Sequence, residues 1–191
     1  MTVTVSGPPG LLSASTVQNG TTVAEPAGVL PGDLLIASLE VDANPVTVTG
    51  PSGWTRLLDT TVAPGTSSQN HAQVWYKVAT ASEPRTYSWG VPTGVYTDIA
   101  VMDYMNVSQS SPVDASAGRD AGVTNKPTTP SVTTTTAGDM VIAIFQGAGL
   151  QPGTLYHYRV RSANASGSPA VSGDFTFTTA APTTGDAGGG R

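Results

Sequence analysis

The sequence predicts an all-β protein, an antiparallel β-sandwich of jelly-roll or immunoglobulin-like kind, and three observations lead there. Apolar residues recur at every second position in window after window, the repeat of a strand whose side chains alternate between two faces. No window carries a 3.6-residue apolar stripe of helical length. The composition is poor in charge, with 11% Asp, Glu, Lys and Arg, and rich in turn formers, with 22 Gly and 15 Pro among 191 residues. Strands rich in β-branched residues and joined by tight turns use that mixture, whereas long solvated helices need more charge than it supplies.

The elements follow in order. Val17-Gln18-Asn19-Gly20-Thr21 sets Asn-Gly between β-branched residues, the strongest short cue for a two-residue hairpin. Pro31-Gly32-Asp33 turns the chain into Leu34–Val41, whose mostly apolar run predicts a buried central strand. Gly50-Pro51-Ser52-Gly53 introduces a strand over Trp54–Thr61. In His71–Ala79, Ala72, Val74, Tyr76 and Val78 fall on one face, and Gln73, Trp75 and Lys77 on the other. The polar flanks of Trp75 aim it at solvent, where it would cover a sheet or line a groove. Thr86–Trp89 predicts a short strand, Tyr96–Val107 a long one and Met140–Phe145 a nearly all-apolar one; Pro64–Asn70 and Ser108–Pro130 read as loops.

An internal echo supports the same class. Gly32-Asp33-Leu34-Leu35-Ile36-Ala37-Ser38-Leu39 and Gly138-Asp139-Met140-Val141-Ile142-Ala143-Ile144-Phe145 share the pattern Gly-Asp-apolar-apolar-Ile-Ala-x-apolar. The reading is a turn in which the glycine takes positive φ and the aspartate caps the bend, feeding a core strand at each of two equivalent positions. Two copies are too few for a solenoid.

Composition and motifs exclude several functions. A formal net charge of −5 argues against nucleic-acid binding through a basic patch. No apolar run approaches the ~18–20 residues that span a bilayer, so no membrane insertion is expected. Met1-Thr2-Val3-Thr4-Val5 has neither the basic nor the apolar region of a signal peptide. With no Cys there is no disulfide, zinc-thiolate site or thiol nucleophile. His71 and His157 are the two imidazoles, Gly-x-Ser-x-Gly is missing, and Glu25, Glu40 and Glu83 stand in no catalytic context. Asp33, Asp42, Asp98, Asp103, Asp114 and Asp120 make no Asp-x-Asp-x-Asp-Gly loop and read as scattered surface carboxylates. No enzyme, metal or cofactor is expected.

Two stretches resemble known families. Leu150–Thr179, LQPGTLYHYRVRSANASG followed by GDFTFTT, resembles the last strands of a fibronectin type III domain. The resemblance implies that Tyr156 is the corner tyrosine whose hydroxyl bonds back to upstream backbone. Val23–Phe145, with Gly32-Asp33, Pro51-Ser52-Gly53-Trp54, Val74–Ala79, Tyr87-Ser88-Trp89 and Gly138-Asp139 in sequence, is similar to β-sandwich modules of bacterial surface proteins and phage virion proteins. That pattern implies further strands after Phe145, and the sequence does not continue it. Either the chain is truncated or recombined, or a Leu155–Thr179 hairpin completes the first sandwich. The second is preferred, because an unpaired sheet edge invites aggregation. The expected organisation is a module over 1–148, incomplete by itself, partial fibronectin-like strands over 149–180, and a flexible Gly-rich tail over 181–191.

The functional expectation is a non-catalytic structural, adhesion or recognition module on an extracellular or virion surface, a setting that comes from the resemblance. The alternatives are a carbohydrate-binding accessory module of a secreted hydrolase and a phage capsid or tail decoration protein. Trp75, Tyr76 and Trp89 are the candidate binding residues, since aromatic faces stack on sugar rings; core packing is the competing reading, strongest for Trp54 and Trp89. Gly32, Asp33, Gly138, Asp139 and Tyr156 are expected to be structural. Glycans or other surface or virion proteins are the expected partners, and the sequence leaves the oligomeric state open.

Overall fold

The alternating patterns become antiparallel strands, seven of them in the first part of the chain: β1 (Gly10–Val17), β2 (Thr22–Ala24), β3 (Leu34–Val41), β4 (Thr55–Val62), β5 (Asn70–Val78), β6 (Thr86–Ser88) and β7 (Thr97–Met105). The computed structural model describes residues 9–43, 45–62, 70–120, 128–136 and 139–146, and strands at 155–158, 161–163, 169–171 and 175–178. The chain forms two compact units, Met1–Gly147 and Ala148–Arg191. It is all-β, with no helix among the described residues, and the sheets of five and two strands in the first unit are consistent with a β-sandwich.

The five-stranded sheet runs β1-β7-β3-β5-β4, every pair antiparallel. β3 lies at its centre because its apolar run can be buried on both faces. Both edge strands are bulged, β1 between Leu11 and Ser13 and β4 between Arg56 and Leu58. Bulges at an edge twist it away from further pairing. On one face Leu35, Ala37, Leu39 and Val41 join Trp75, Ile99 and Val101, beneath Val23 and Tyr87 from the β2–β6 pair and beneath Val48, Trp54 and Trp89. Trp54 meets Tyr87 and Trp89 edge-on at 5.2 and 5.3 Å, and a Thr49–Gly90 bridge ties the covering loops together.

On the other face Leu34, Ile36, Val74 and Tyr104 form a smaller cluster, with Ile142 and Ile144 packed against it. Here the expectation of a Met140–Phe145 strand is corrected. The segment makes no ladder among the described residues, although from Val141 to Gln146 its positions alternate between exposed and half-buried. Gln146 anchors it, its amide donating to Ser38 Oγ (2.8 Å) and to the carbonyls of Leu39 (2.6 Å) and Gln73 (3.3 Å). Both flanks of β3 are already occupied by β5 and β7, so this stretch can lie over the sheet but cannot join it there.

The Asn19-Gly20 hairpin is corrected too. Asn19 does take a left-handed φ of 49°, but β1 pairs with β7 and β2 with β6, so the turn carries the chain from one sheet to another. Asp98 accepts the Asn19 N–H (2.9 Å) and Thr97 the Gly20 N–H (2.9 Å), pinning the turn to β7. Ser13 and Ser15 of β1 then donate to the carbonyls of Ala27 and Glu25, side chain to backbone, where a hairpin would set backbone against backbone.

In the second unit β8 (Leu155–Tyr158) pairs antiparallel with β11 (Phe175–Thr178), and β9 (Arg161–Ala163) with β10 (Pro169–Val171). Tyr156 stands opposite Phe177 in the ladder. The side chains of Tyr156 and His157, like Gly138 and residues 179–191, lie outside the described residues.

Candidate functional site

Strand register decides where the candidate binding residues go. β5 alternates as its sequence requires, with Tyr76 opposite Ile36 on the smaller cluster's side, and Gln73, Trp75 and Lys77 opposite Leu39, Ala37 and Leu35 on the main core side. The face of β5 that looks polar is therefore the one turned into the larger core. The expectation that Trp75 meets solvent is corrected: it is 7% exposed, and Trp89 is 2% exposed in the same cluster. Tyr76 is half-buried on the opposite side of the sheet, so the three aromatics share no surface.

Polar flanks mislead at Trp75 because each is satisfied internally. The Trp75 indole donates to Gln73 Oε1 (3.0 Å), and the Gln73 amide donates to Asp59 (3.2 Å) from the edge strand β4. Asp59 also holds Arg56 (2.8 Å) and His71 (2.9 Å), and the Arg56 guanidinium lies 5.8 Å from the Trp75 ring centre. The turn at Gly50 closes over the indole so tightly that a Cβ there would run into the ring. The Gln73 amide and the Trp75 indole are the buried members of this row, and buried polar groups are stable only when they find partners, as these two do.

The row brings Asp59 to His71, a pairing invisible in sequence because it depends on the β4–β5 register. It is not a nucleophilic relay. Asp59 and the Thr61 hydroxyl both approach the same ring atom, Nε2, at 2.9 and 3.5 Å, while Nδ1 is buried without a partner among the described residues. A relay needs the acid on one nitrogen and the nucleophile on the other. Among the described residues no three His, Asp or Glu side chains converge as metal ligands would.

A second polar group closes one end of the larger core. Lys77 donates to Glu83 (2.7 Å), the two side chains being 11% and 4% exposed, and Tyr87 donates to the same carboxylate (3.0 Å). Thr80 adds its N–H and its hydroxyl at 2.7 and 2.9 Å. Burial would raise the Glu83 pKa, but these four donors hold it below the ordinary value. Burial and the charge of Glu83 push the Tyr87 phenol well up.

The structural candidates divide. Gly32 has φ of 98°, Asp33 accepts the Leu30 N–H (2.8 Å), and Gly32 and Asp33 exchange backbone bonds with Ala79 at the mouth of β3. Asp139 is exposed beside Asp114, which accepts both the N–H and the hydroxyl of Thr135. Desolvation and the Asp114 carboxylate raise the Asp139 pKa, while the Thr135 donors lower that of Asp114. Sequence reasoning missed Asp103, wholly buried with neither oxygen hydrogen-bonded among the described residues; read as a surface aspartate, it is corrected to a core one. Its signal was present, since Asp103 alternates in phase with Ile99 and Val101. The chain matches no protein-family model, no curated protein and no solved structure.

Proposed function

We propose that the protein is a non-catalytic structural module, a β-sandwich with fibronectin-type-III-like strands at its C-terminal end, that serves in an extracellular or virion-surface assembly. One observation carries this reading: Trp75 and Trp89, two of the three aromatics considered for stacking on a sugar, are committed to the core, and the polar groups around Trp75 bond to one another. A stacking platform needs exposed ring faces and unspent hydrogen-bonding groups beside them. The setting rests on the resemblance to surface and virion modules, and its partners are then other proteins of the same surface.

The test has two arms. The full chain is applied to a glycan array, and antibodies to the folded protein locate it in cell-surface, secreted or virion fractions. Surface or virion location with no glycan retained is the expected result; saturable glycan binding by the folded chain restores the carbohydrate-binding reading and overturns this one. Trp75→Ala sharpens the choice. It is expected to destabilise the fold by about 3–5 kcal/mol in a denaturant melt, as large core truncations do. A fully stable Trp75→Ala protein contradicts a structural role for that ring.

A further inference from the structure

Across the larger core face, one row of the sheet reads Ser13, Asp103, Leu35, Lys77 from β1 to β5. Asp103 is 0% exposed, and both its carboxyl oxygens lack a hydrogen-bond partner among the described residues. The groups around it are engaged elsewhere. On β1 the Ser13 hydroxyl donates to Ala27, and β1 presents no charge on this row. From β5, Lys77 lies beyond Leu35 and pairs with Glu83; from β6, the Tyr87 hydroxyl points to Glu83, and Arg85 is exposed. The remaining neighbours are carboxylates, Asp33 at the entrance to β3 and Glu25 at the exit of β2. An anion at Asp103 would meet no donor and two like charges, so the fold suits only the neutral acid.

We propose that Asp103 is an acid-set clasp: uncharged, it seals the end of the core beneath β2, and its ionisation as the medium approaches neutrality loosens the β1–β2 end of the first unit. The end that gives way is the one held by side-chain bonds, Ser13 to Ala27 and Ser15 to Glu25, where no backbone ladder joins β1 to β2. Burial, then the charges of Asp33 and Glu25, push the Asp103 carboxyl up to about 6 from 3.8. A carboxyl raised in the folded state contributes stability that is complete below its unfolded pKa and is lost as pH rises through its folded pKa. Glu83 has the opposite sign: its contribution is present above its unfolded value of 4.5 and fades as pH falls through its lowered folded pKa. Between pH 5 and 7.5 Glu83 is ionised throughout, so it adds no pH dependence of its own in that window.

Two measurements on the full chain test the clasp. Carbon-detected NMR follows the Asp103 carboxyl from pH 4 to 8, and amide exchange, corrected for intrinsic base catalysis, gives opening constants at Ser13, Ser15 and Val23. The expected result is a titration midpoint near 6 and opening constants that rise about tenfold between pH 5 and 7.5. Asp103→Asn is expected to remove that rise. A midpoint below 4.5, or opening constants that do not change with pH, overturns the proposal whether or not the variant folds. A pH profile for a folded Asp103→Asn protein that parallels the parent's overturns it equally.

Discussion

Leu34–Leu39 and Met140–Phe145 follow the same Gly-Asp step with nearly the same residues, yet one is the middle of a sheet and the other a strap across its outside. β3 has β7 on one side and β5 on the other, and Leu35, Ala37 and Leu39 are wholly buried. In the second stretch Met140, Val141 and Phe145 remain 36%, 50% and 37% exposed, and only alternate residues reach the sheet. Both segments are nearly continuous apolar runs and both are rich in strand-forming residues. The difference is supplied by neighbours: a strand is a hydrogen-bonded relation between segments, and the pattern encodes only one side of it.

Substitutions in and beside the two segments put numbers on that contrast. Leu39→Ala is expected to have the largest effect, about 2–5 kcal/mol in a denaturant melt, since it opens a cavity under a strand held on both sides. A loss under about 1 kcal/mol there would mean the two segments are energetically alike. Gly32→Ala should cost about 1–2 kcal/mol, because its φ of 98° is strained for alanine; Gln109 packs against the same spot. An unchanged midpoint would show that the turn into β3 is not specified by this glycine. Ile144→Ala, equivalent in pattern to Ser38, removes half-buried apolar surface and is expected to cost about 1 kcal/mol. Its effect should add to that of Gln146→Ala, about 0.5–1.5 kcal/mol for a partly buried amide, only if the strap is rigid. If either single variant releases the strap, the double variant will cost no more. Asp139→Ala should leave the midpoint unmoved, because that carboxyl is exposed and caps no strand among the described residues.

Most strands were legible from period-two patterning. β3, β5 and β7 lie within two residues of their expected bounds, since long alternating or apolar runs leave few other ways to bury their side chains. Side assignment was less legible. On β5 the division into two sets of residues is correct, but the set containing Gln73 and Lys77 faces the larger core. Nothing local distinguishes a solvated glutamine from one that bonds Trp75 and Asp59 across a ladder. The same holds for Asn19-Gly20, whose left-handed turn serves an arch between sheets as readily as a hairpin.

The sequence by itself determined the all-β class, the alternation of each strand and the lack of thiol chemistry, because these follow from side-chain period and composition within one segment. Only the tertiary structure decided which face of β5 is inside, that Met140–Phe145 lies over the sheet without a ladder among the described residues, and that Asp59 reaches His71 while Asp103 is buried in the core. Those outcomes depend on register and layer, which are set by the competition of distant segments for the same backbone partners and the same apolar surface. A single segment carries its own preferences, and the free energy of pairing belongs to the pair.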